Sequence, residues 1–332
     1  MSQPIIQLSG VTQHFKDPGG GLLRPRLVRA LDGVDIEVHP NRTLAIVGES
    51  GSGKSTLAKL LLLLRRPTSG EIRYRGVAHS SLGRAEMKKF RREVQAVFQD
   101  PAASLNPRMT IEESLGHVAR FHRLAPPAEM RAFLSRHLED VGLSREEDFL
   151  PRFPHQLSGG QQQRVAIARA MMLSPAAIIA DEPLSSLDVS IQAQILDLML
   201  ELRTRTGIGL VIVSHDLGAM KSIADEVAVM YRGKVVEFGE HVFDDPQHPY
   251  TRLLLDSQLS MDPRNRRPIR SLEESGESSG ALPLSAAGCS FQFRCDLSQE
   301  VCARSAPRAI QHGDGGPIVR CHVVNNQERA DT

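Results

Sequence analysis

Two kinds of apolar pattern run along this chain of 332 residues. The segments IIQLSGVTQHF (5–15) and VRALDGVDIEV (28–38) alternate apolar and polar side chains, which is typical of half-buried strands. Near-continuous apolar runs are typical of strands buried on both faces of a parallel sheet, and they occur in TLAIVG (43–48), AAIIAD (176–181) and GLVIVSH (209–215). We therefore predict strands in all of these segments.

Helical periodicity lies between the predicted strands. It predicts helices at 55–65, 126–142, 159–173 and 190–206. The segment EVAVMYRGKVVEFG (226–239) predicts a hairpin that turns at Arg232-Gly233. Strands that alternate with helices indicate an α/β fold with a mostly parallel sheet.

Composition and charge exclude several classes of protein. The chain has 40 basic and 39 acidic residues, so no overall charge favours nucleic acid or anionic lipid as a partner. No apolar run approaches the roughly 18 residues that cross a bilayer, and MSQPIIQLSG lacks the features of a secretory signal. We therefore expect a soluble, cytosolic protein. From about residue 256 the sequence is rich in Pro, Gly, Ser and charge, as in 261–288, which predicts a loosely packed connection or lid.

A glycine-rich segment, GESGSGKS (48–55), lies between a predicted strand and a predicted helix. It fits G-x-x-x-x-G-K-[ST] in the context that a phosphate-binding loop (P-loop) requires. A simple glycine-rich turn would not be expected to match both the motif and its context. Its glycines let successive N–H groups converge on phosphate oxygens at a helix N-terminus. Lys54 can reach the β- and γ-phosphates, and the Ser55 hydroxyl can bind Mg²⁺. The predicted nucleotide-binding residues are Gly48, Glu49, Ser50, Gly51, Ser52, Gly53, Lys54, Ser55 and Thr56.

Further motifs follow this loop in a fixed order. They are Gln99 in FQDP, LSGGQ at 157–161, Asp181-Glu182 at the end of an apolar strand, SSLD at 185–188, and His215 at the end of another strand. Chance would very rarely assemble such a series in one chain. Over about residues 3–255, the chain resembles the nucleotide-binding subunits of ABC transporters. The resemblance implies a P-loop ATPase domain with some antiparallel strands and a helical subdomain at about 100–170.

The resemblance also implies a role for individual residues. Asp181 would hold Mg²⁺ directly or through water, and Glu182 would act as general base on the attacking water. His215 would contact the γ-phosphate, and Gln99 would sense Mg²⁺ and the membrane subunit. Phe15 matches the aromatic residue that stacks on adenine, although a lone Phe more often belongs to a core.

The LSGGQ motif of this family caps ATP that is bound to the opposite subunit. We expect Ser158, Gly159, Gly160 and Gln161 to act in this way, and we place Asp188 at the nucleotide site as well. The chain has one P-loop and one LSGGQ, so the second set would come from another polypeptide. We expect a heterodimer with a paralogous ATPase subunit.

Two flanking segments resemble the peptide-importer branch of the family. These are FQDPAASLNPRMT (98–110) and DDPQHPYTRLLL (244–255), although HPYT alone would indicate only a turn before a helix. The closest resemblance is to the second of the two ATPase subunits of bacterial dipeptide importers. It implies a peripheral subunit on the cytoplasmic face of the cell (inner) membrane that powers uptake of dipeptides or short oligopeptides. Its partners would be two permease subunits and a periplasmic or extracellular solute-binding protein.

Alternative functions remain open at this point. An importer ATPase of this type could serve nickel, haem or a peptide-like compound. Translation-factor ATPases usually carry two cassettes in one chain, and DNA-repair ATPases split the cassette around a long coiled coil. Exporters usually fuse membrane helices to the cassette, and none of these features occurs in the sequence.

The chain has four cysteines, all of which lie in its C-terminal region. They are Cys289, Cys295, Cys302 and Cys321. Disulfides are disfavoured in the cytosol, and the spacing lacks the C-x2-C pairs usual for zinc. Some peptide-importer ATPase subunits carry a four-cysteine cluster site in this region, and iron–sulfur clusters tolerate wide spacing. We therefore predict a structural or redox-sensing [4Fe–4S] cluster in a small C-terminal domain at 256–332, with zinc and free or paired thiols as alternatives.

Overall fold

A computed structural model describes residues 3–16, 27–143, 149–185, 187–257, 287–313 and 315–327. The contacts between residues divide the chain into two compact units. The described residues of the first unit lie within Met1–Ile5, Val38–Arg42 and Tyr74–Val213, and those of the second lie within Ile6–Glu37, Thr43–Arg73 and Ser214–Thr332. Apart from its last two residues, the predicted connection at 261–288 lies outside the described residues.

The secondary structure alternates between strands and helices, as predicted for an α/β fold. The strands are β1 (Ile6–Lys16), β2 (Leu27–Val38), β3 (Thr43–Val47), β4 (Ser69–Tyr74), β5 (Val77–Ala78), β6 (Val94–Phe98), β7 (Ala177–Asp181), β8 (Gly209–Ser214), β9 (Glu226–Tyr231), β10 (Lys234–Gly239), β11 (Ile310–Gln311) and β12 (Ile318–Val319). The helices are α1 (Lys54–Leu61), α2 (Arg84–Glu93), α3 (Pro101–Ser104), α4 (Ile111–His122), α5 (Met130–Glu139), α6 (Gly159–Met171), α7 (Val189–Thr206), α8 (Leu217–Lys221), α9 (Pro249–Asp256), α10 (Glu300–Arg304) and α11 (His322–Gln327).

A parallel sheet forms the centre of the first unit. Strand β7 pairs in parallel with β6 on one side and with β8 on the other. Every residue of β8 is buried, as are the first four residues of β7. The near-continuous apolar runs therefore form strands covered on both faces, which confirms the prediction made from them.

Helix α4 of the first unit begins at a residue that caps it. Thr110 precedes α4, where its hydroxyl accepts a hydrogen bond from the Glu113 N–H and the Glu113 carboxylate accepts one from the Thr110 N–H. This reciprocal pair is a capping box. The helix predicted at 126–142 is shorter in the structure, because a 3₁₀ turn at Pro127–Glu129 precedes α5.

The second unit combines parallel and antiparallel strands. Strand β3 pairs in parallel with β9, and β9 pairs with β10 as the predicted hairpin. Arg232 and Gly233 both adopt positive φ at its turn, with values of 43° and 84°, as a two-residue hairpin turn requires. In a separate sheet, β1 lies between β2 and β4.

The C-terminal segment extends the sheet of the second unit. Strand β12 pairs antiparallel with β10, with Val319 opposite Glu237, and β11 pairs with β12. Val319, Cys321 and Val324 form a small buried apolar cluster beside these strands. A separate C-terminal cysteine domain is therefore not confirmed, because the described part of this segment is joined to β10 by backbone hydrogen bonding.

The helices of the structure can also be compared with the thickness of a bilayer. In the described parts of the chain, no helix has the length and the apolar character needed to cross a membrane.

Candidate functional site

The P-loop follows β3 and is packed tightly against neighbouring backbone. Gly48 has a φ of 147°, and a Cβ atom there would lie 2.2 Å from the carbonyl oxygen of Met230. Gly53 has a φ of 107°, and a Cβ atom there would lie 2.4 Å from the carbonyl oxygen of Ala30. Any other residue at either position would have a strained φ, and its Cβ atom would clash with the neighbouring backbone. Both positions therefore require glycine.

Lys54 is the first residue of α1, and its side chain folds back over the loop. Its side chain is buried, and its ammonium group donates hydrogen bonds to the carbonyl oxygens of Gly48, at 2.8 Å, and Glu49, at 2.9 Å. A buried ammonium group held in this position provides a fixed positive charge at the mouth of the loop.

The polar groups around Lys54 are of the kind that bind a polyphosphate. Gly53 is the N-cap of α1, and it has no side chain that could accept hydrogen bonds from the N–H groups of the first turn. Within the described residues, the buried Ser52 hydroxyl oxygen has no hydrogen-bond partner. Phosphate oxygens can satisfy such groups at a helix N-terminus. The exposed Ser55 hydroxyl in the same turn is an oxygen ligand of the kind that Mg²⁺ prefers.

The first unit holds three predicted site residues at one edge of its parallel sheet. Asp181 ends β7 and lies opposite Phe98 of β6, so Gln99 leaves the sheet beside it. Glu182 follows with a φ of 49°, which is costly for a residue other than glycine. Its N–H donates to the carbonyl oxygen of Val213 at 3.0 Å, which holds the backbone in this conformation. The structure thus brings Gln99, Asp181 and Glu182 to the same edge.

The LSGGQ motif forms the start of α6. The Ser158 hydroxyl accepts a hydrogen bond from the Gln161 N–H, and the Gln161 side chain accepts one from the Ser158 N–H. A Cβ atom on Gly160 would lie 2.6 Å from the Ile191 side chain, so α6 begins close against the first turn of α7. Ser158 is therefore the N-cap of α6 and forms a capping box with Gln161.

Asp188 caps α7 beside this motif. Its carboxylate accepts hydrogen bonds from the Ser190 hydroxyl at 2.6 Å and from the Ile191 N–H at 3.1 Å. These bonds hold the pKa of Asp188 below its usual value, and the bond from Ser190 has the largest effect on it. Asp188 is exposed, and its bonds in this structure are those of a helix cap. Ser186, which belongs with Asp188 to the SSLD motif, lies outside the described residues.

Two further predicted residues lie in the second unit. His215 is exposed directly after β8, and Asp216 caps the following helix α8 by accepting from the Ala219 N–H. Phe15 lies near the end of β1, where the Arg65 guanidinium stands 5.0 Å from the centre of its ring. That distance is within the range of a cation–π contact.

Sequence reasoning missed two residues that hold the P-loop. The Tyr250 hydroxyl oxygen accepts a hydrogen bond from the Glu49 N–H at 3.0 Å. The Arg294 guanidinium donates two hydrogen bonds to the Glu49 carboxylate, each of 2.8 Å. HPYT contains Tyr250 and was noted as a motif, whereas no local pattern marks Arg294.

Comparisons with known proteins place this arrangement in a family. Residues 31–185 match the family described as ABC transporter, and residues 236–302 match the one described as oligopeptide/dipeptide transporter, C-terminal region. The chain is 42% identical to the dipeptide transport ATP-binding protein DppF of Haemophilus influenzae over 96% of this chain and 97% of that protein. This chain belongs to the ABC transporter ATP-binding proteins.

Other similarities agree with membership of the ABC family. DppF of Escherichia coli is 39% identical over 99% of this chain and 97% of that protein. Among solved structures, the dimeric ATP-binding cassette MJ0796 in a post-hydrolysis state, bound to ADP and Pi, has a TM-score of 0.61 and 32% identity. That similarity covers 71% of this chain and 98% of the MJ0796 chain.

Not every feature expected of this ABC protein is present. The four cysteines, Cys289, Cys295, Cys302 and Cys321, are free thiols. Within the described residues, which include all four, no group of three or more His, Cys, Asp or Glu side chains is placed to hold a metal ion. The prediction of a [4Fe–4S] cluster is therefore wrong, and the zinc alternative falls with it.

Burial gives the physical reason for this correction. Cys302 and Cys321 are buried, and Cys321 belongs to the apolar cluster beside β12. Burial also raises the pKa of the Cys289 and Cys295 thiols, which favours the protonated form. Cys302 and Cys321 therefore pack as small apolar residues in this structure.

The HPYT motif of this ABC protein carries a buried, neutral histidine. His248 Nδ1 accepts a hydrogen bond from the Tyr250 N–H at 3.0 Å and so caps α9. The His248 N–H donates to the Glu237 carboxylate, which also accepts from the Gln247 N–H. Burial lowers the pKa of His248 to about 4. The ring therefore stays neutral in the folded chain at physiological pH.

We expect His248→Asn to make stability less sensitive to acid. Between pH 6.5 and about 4 the unfolded chain binds a proton on His248 and the folded chain does not. The free energy of unfolding therefore falls as pH is lowered through this window, by up to about 1.4 kcal/mol per pH unit. Asn can cap a helix without titrating. Urea unfolding of both chains at pH 7 and pH 5 measures the difference.

The expected difference between the two chains is roughly 2 kcal/mol over this range. Burial raises the pKa of Glu237, but Glu237 is present in both chains and its titration cancels in the comparison. Equal losses of stability in the two chains would show that His248 does not stay neutral.

Proposed function

We propose that this chain is the ATP-hydrolysing subunit of an ABC importer that powers uptake of dipeptides or short oligopeptides. The observation that carries the proposal is that one chain joins a complete P-loop to a C-terminal peptide-transporter region, with full-length similarity to dipeptide transport ATP-binding proteins. The contacts of Tyr250 and Arg294 with Glu49 support it, because both residues lie within residues 236–302, which match the peptide-transporter family, and both contact the P-loop.

Each predicted residue has a role in the proposed hydrolysis. Lys54 neutralises charge on the β- and γ-phosphates. Backbone N–H groups of the P-loop bind the phosphate oxygens, apart from that of Glu49, which donates to Tyr250. Ser55 and Asp181 are the proposed ligands of Mg²⁺, which supplies further charge neutralisation when it is bound with ATP. Glu182 accepts a proton from the attacking water. His215 and Gln99 are the proposed γ-phosphate and Mg²⁺ sensors.

We also propose the assembly in which this chain acts. Residues 158–161 and Asp188 would complete an ATP site on a paralogous subunit, and that subunit would complete the site on this chain. Two permease subunits and a solute-binding protein would form the rest of the importer, with this chain at the cytoplasmic face of the membrane. The nucleotide-binding domain would span residues 3–255, and the peptide-importer region would span 256–332.

Deleting the gene for this chain is expected to abolish uptake of radiolabelled dipeptides in the organism that carries it, because the permeases would lose the ATP hydrolysis that powers transport. Uptake of labelled nickel, haem and a free amino acid is measured in the same cells. Wild-type chain supplied from a plasmid should restore dipeptide uptake, and the Lys54→Ala chain should not. If dipeptide uptake is unchanged and nickel or haem uptake is lost, the substrate of the importer is that solute and not a peptide.

A further inference from the structure

Within the second unit, an ion pair joins the C-terminal region to the P-loop. Arg294 lies in a 3₁₀ turn (Gln292–Arg294), 245 residues after Glu49 in sequence. Its guanidinium holds both oxygens of the Glu49 carboxylate at 2.8 Å. Such a two-point contact fixes orientation as well as distance, which a single hydrogen bond does not do.

Aromatic rings hold Arg294 in place for this contact. Its guanidinium lies 5.8 Å from the ring centre of Tyr231 and 5.9 Å from that of Phe291. These rings pack against each other and against Tyr250, with centres 4.6 to 5.4 Å apart. Phe291 and Tyr250 are both buried. The two rings therefore help to hold the guanidinium in the position where it meets the carboxylate.

The backbone of Glu49 is held from the same side. Its N–H donates to the buried Tyr250 hydroxyl at 3.0 Å, while its carbonyl oxygen accepts from the Lys54 ammonium at 2.9 Å. One residue therefore connects the phosphate-facing lysine to the C-terminal region by its N–H, its carbonyl oxygen and its carboxylate. A shift of Glu49 would move an acceptor that positions Lys54.

The charge of Glu49 matters as much as its position. A carboxylate beside a phosphate-binding loop repels a triphosphate unless a cation compensates for it. Arg294 is such a cation, and its hydrogen bonds to Glu49 raise the pKa of the guanidinium further above its ordinary value. The pair is partly exposed, so its effect is expected to weaken as salt is added.

We propose that Arg294 is a positioning residue for ATP binding, which fixes Glu49 and neutralises its carboxylate so that the P-loop presents Lys54 to the triphosphate. The inference rests on the proposed ATP-binding role of the P-loop. It gives the C-terminal region of this chain a second role, in setting nucleotide affinity.

The test measures ATP binding to the purified full-length chain by isothermal titration calorimetry. Arg294→Ala is expected to raise the Kd for ATP about fivefold or more, because it leaves the Glu49 carboxylate unpaired. Arg294→Lys keeps the charge without the two-point contact and should give an intermediate Kd. The matched control is Arg304→Ala in α10, which removes an exposed ion pair with Glu300 in the same region and should leave the Kd unchanged.

A double variant separates this role from simple loss of folding. Adding Glu49→Gln to Arg294→Ala removes the unpaired charge, so the double variant should bind ATP more tightly than Arg294→Ala alone. In the assembled importer, Arg294→Ala should raise KM for ATP with little change in kcat.

Three results would overturn the inference. These are a wild-type Kd for Arg294→Ala, an equal rise for Arg304→Ala, or a double variant that binds no better than Arg294→Ala. If the Arg294→Ala chain fails to fold, the Kd of the Arg294→Lys chain is compared with the Kd of the wild type instead. Peptide uptake is not part of this measurement, so failure of the importer assignment would leave these results intact and would be recognised separately.

Discussion

A Glu182→Gln chain is expected to bind ATP but to hydrolyse it at least about 100-fold more slowly than the wild type. The amide has nearly the shape of the carboxylate but cannot accept a proton from water. The unusual backbone of Glu182, with its N–H bound to the carbonyl oxygen of Val213, does not depend on the side-chain charge. Phosphate release by the assembled importer at saturating ATP measures the effect, together with ATP binding to the purified chain.

Glu201→Gln is a suitable control for this experiment. Glu201 is exposed on α7, and the same change of charge there should leave hydrolysis at the wild-type rate. Hydrolysis by the Glu182→Gln chain at the rate of the Glu201→Gln chain would remove Glu182 from the role of general base.

Lys54→Ala is expected to weaken ATP binding by roughly 10- to 100-fold, because hydrogen bonds to a charged group contribute about 1.5–3 kcal/mol each and 1.4 kcal/mol is a factor of ten. The substitution removes the buried ammonium that lies over the loop and leaves the carbonyl oxygens of Gly48 and Glu49 without its hydrogen bonds. Calorimetric titration with ATP measures the Kd, and urea unfolding measures any loss of stability.

Lys59→Ala provides the matched control for Lys54. Lys59 is exposed in the last turn of the same helix, α1, so its removal changes the net charge equally without touching the P-loop. Similar Kd values for the Lys54→Ala and Lys59→Ala chains would mean that Lys54 does not contact the triphosphate.

The elements that could be predicted from sequence are those with one clear period. The buried strands β3, β7 and β8 and the hairpin of β9 and β10 were predicted to within about one residue. Other elements were missed. Helix α2 buries only Phe90 and so shows no apolar stripe, and β6 is a short strand of five residues whose apolar run is interrupted by Gln95.

The candidate site shows the same division. The P-loop could be predicted because its residues are contiguous and fit one motif. Arg294 could not, because its contact with Glu49 depends on the fold and not on sequence spacing. The cysteines were misjudged because their spacing in sequence does not show how the fold places their side chains, and no suitable group of metal ligands is formed within the described residues.

The pairing of β12 with β10 has a consequence for synthesis of the chain. Until Val319 has left the ribosome, β10 has an unpaired edge, and unpaired edges can pair with other chains and aggregate. About 80 residues separate the two strands, which corresponds to roughly 4–16 s of translation. A chain that stops before β12 would keep that edge exposed permanently, so truncated products are expected to be the aggregation-prone and rapidly degraded forms of this protein.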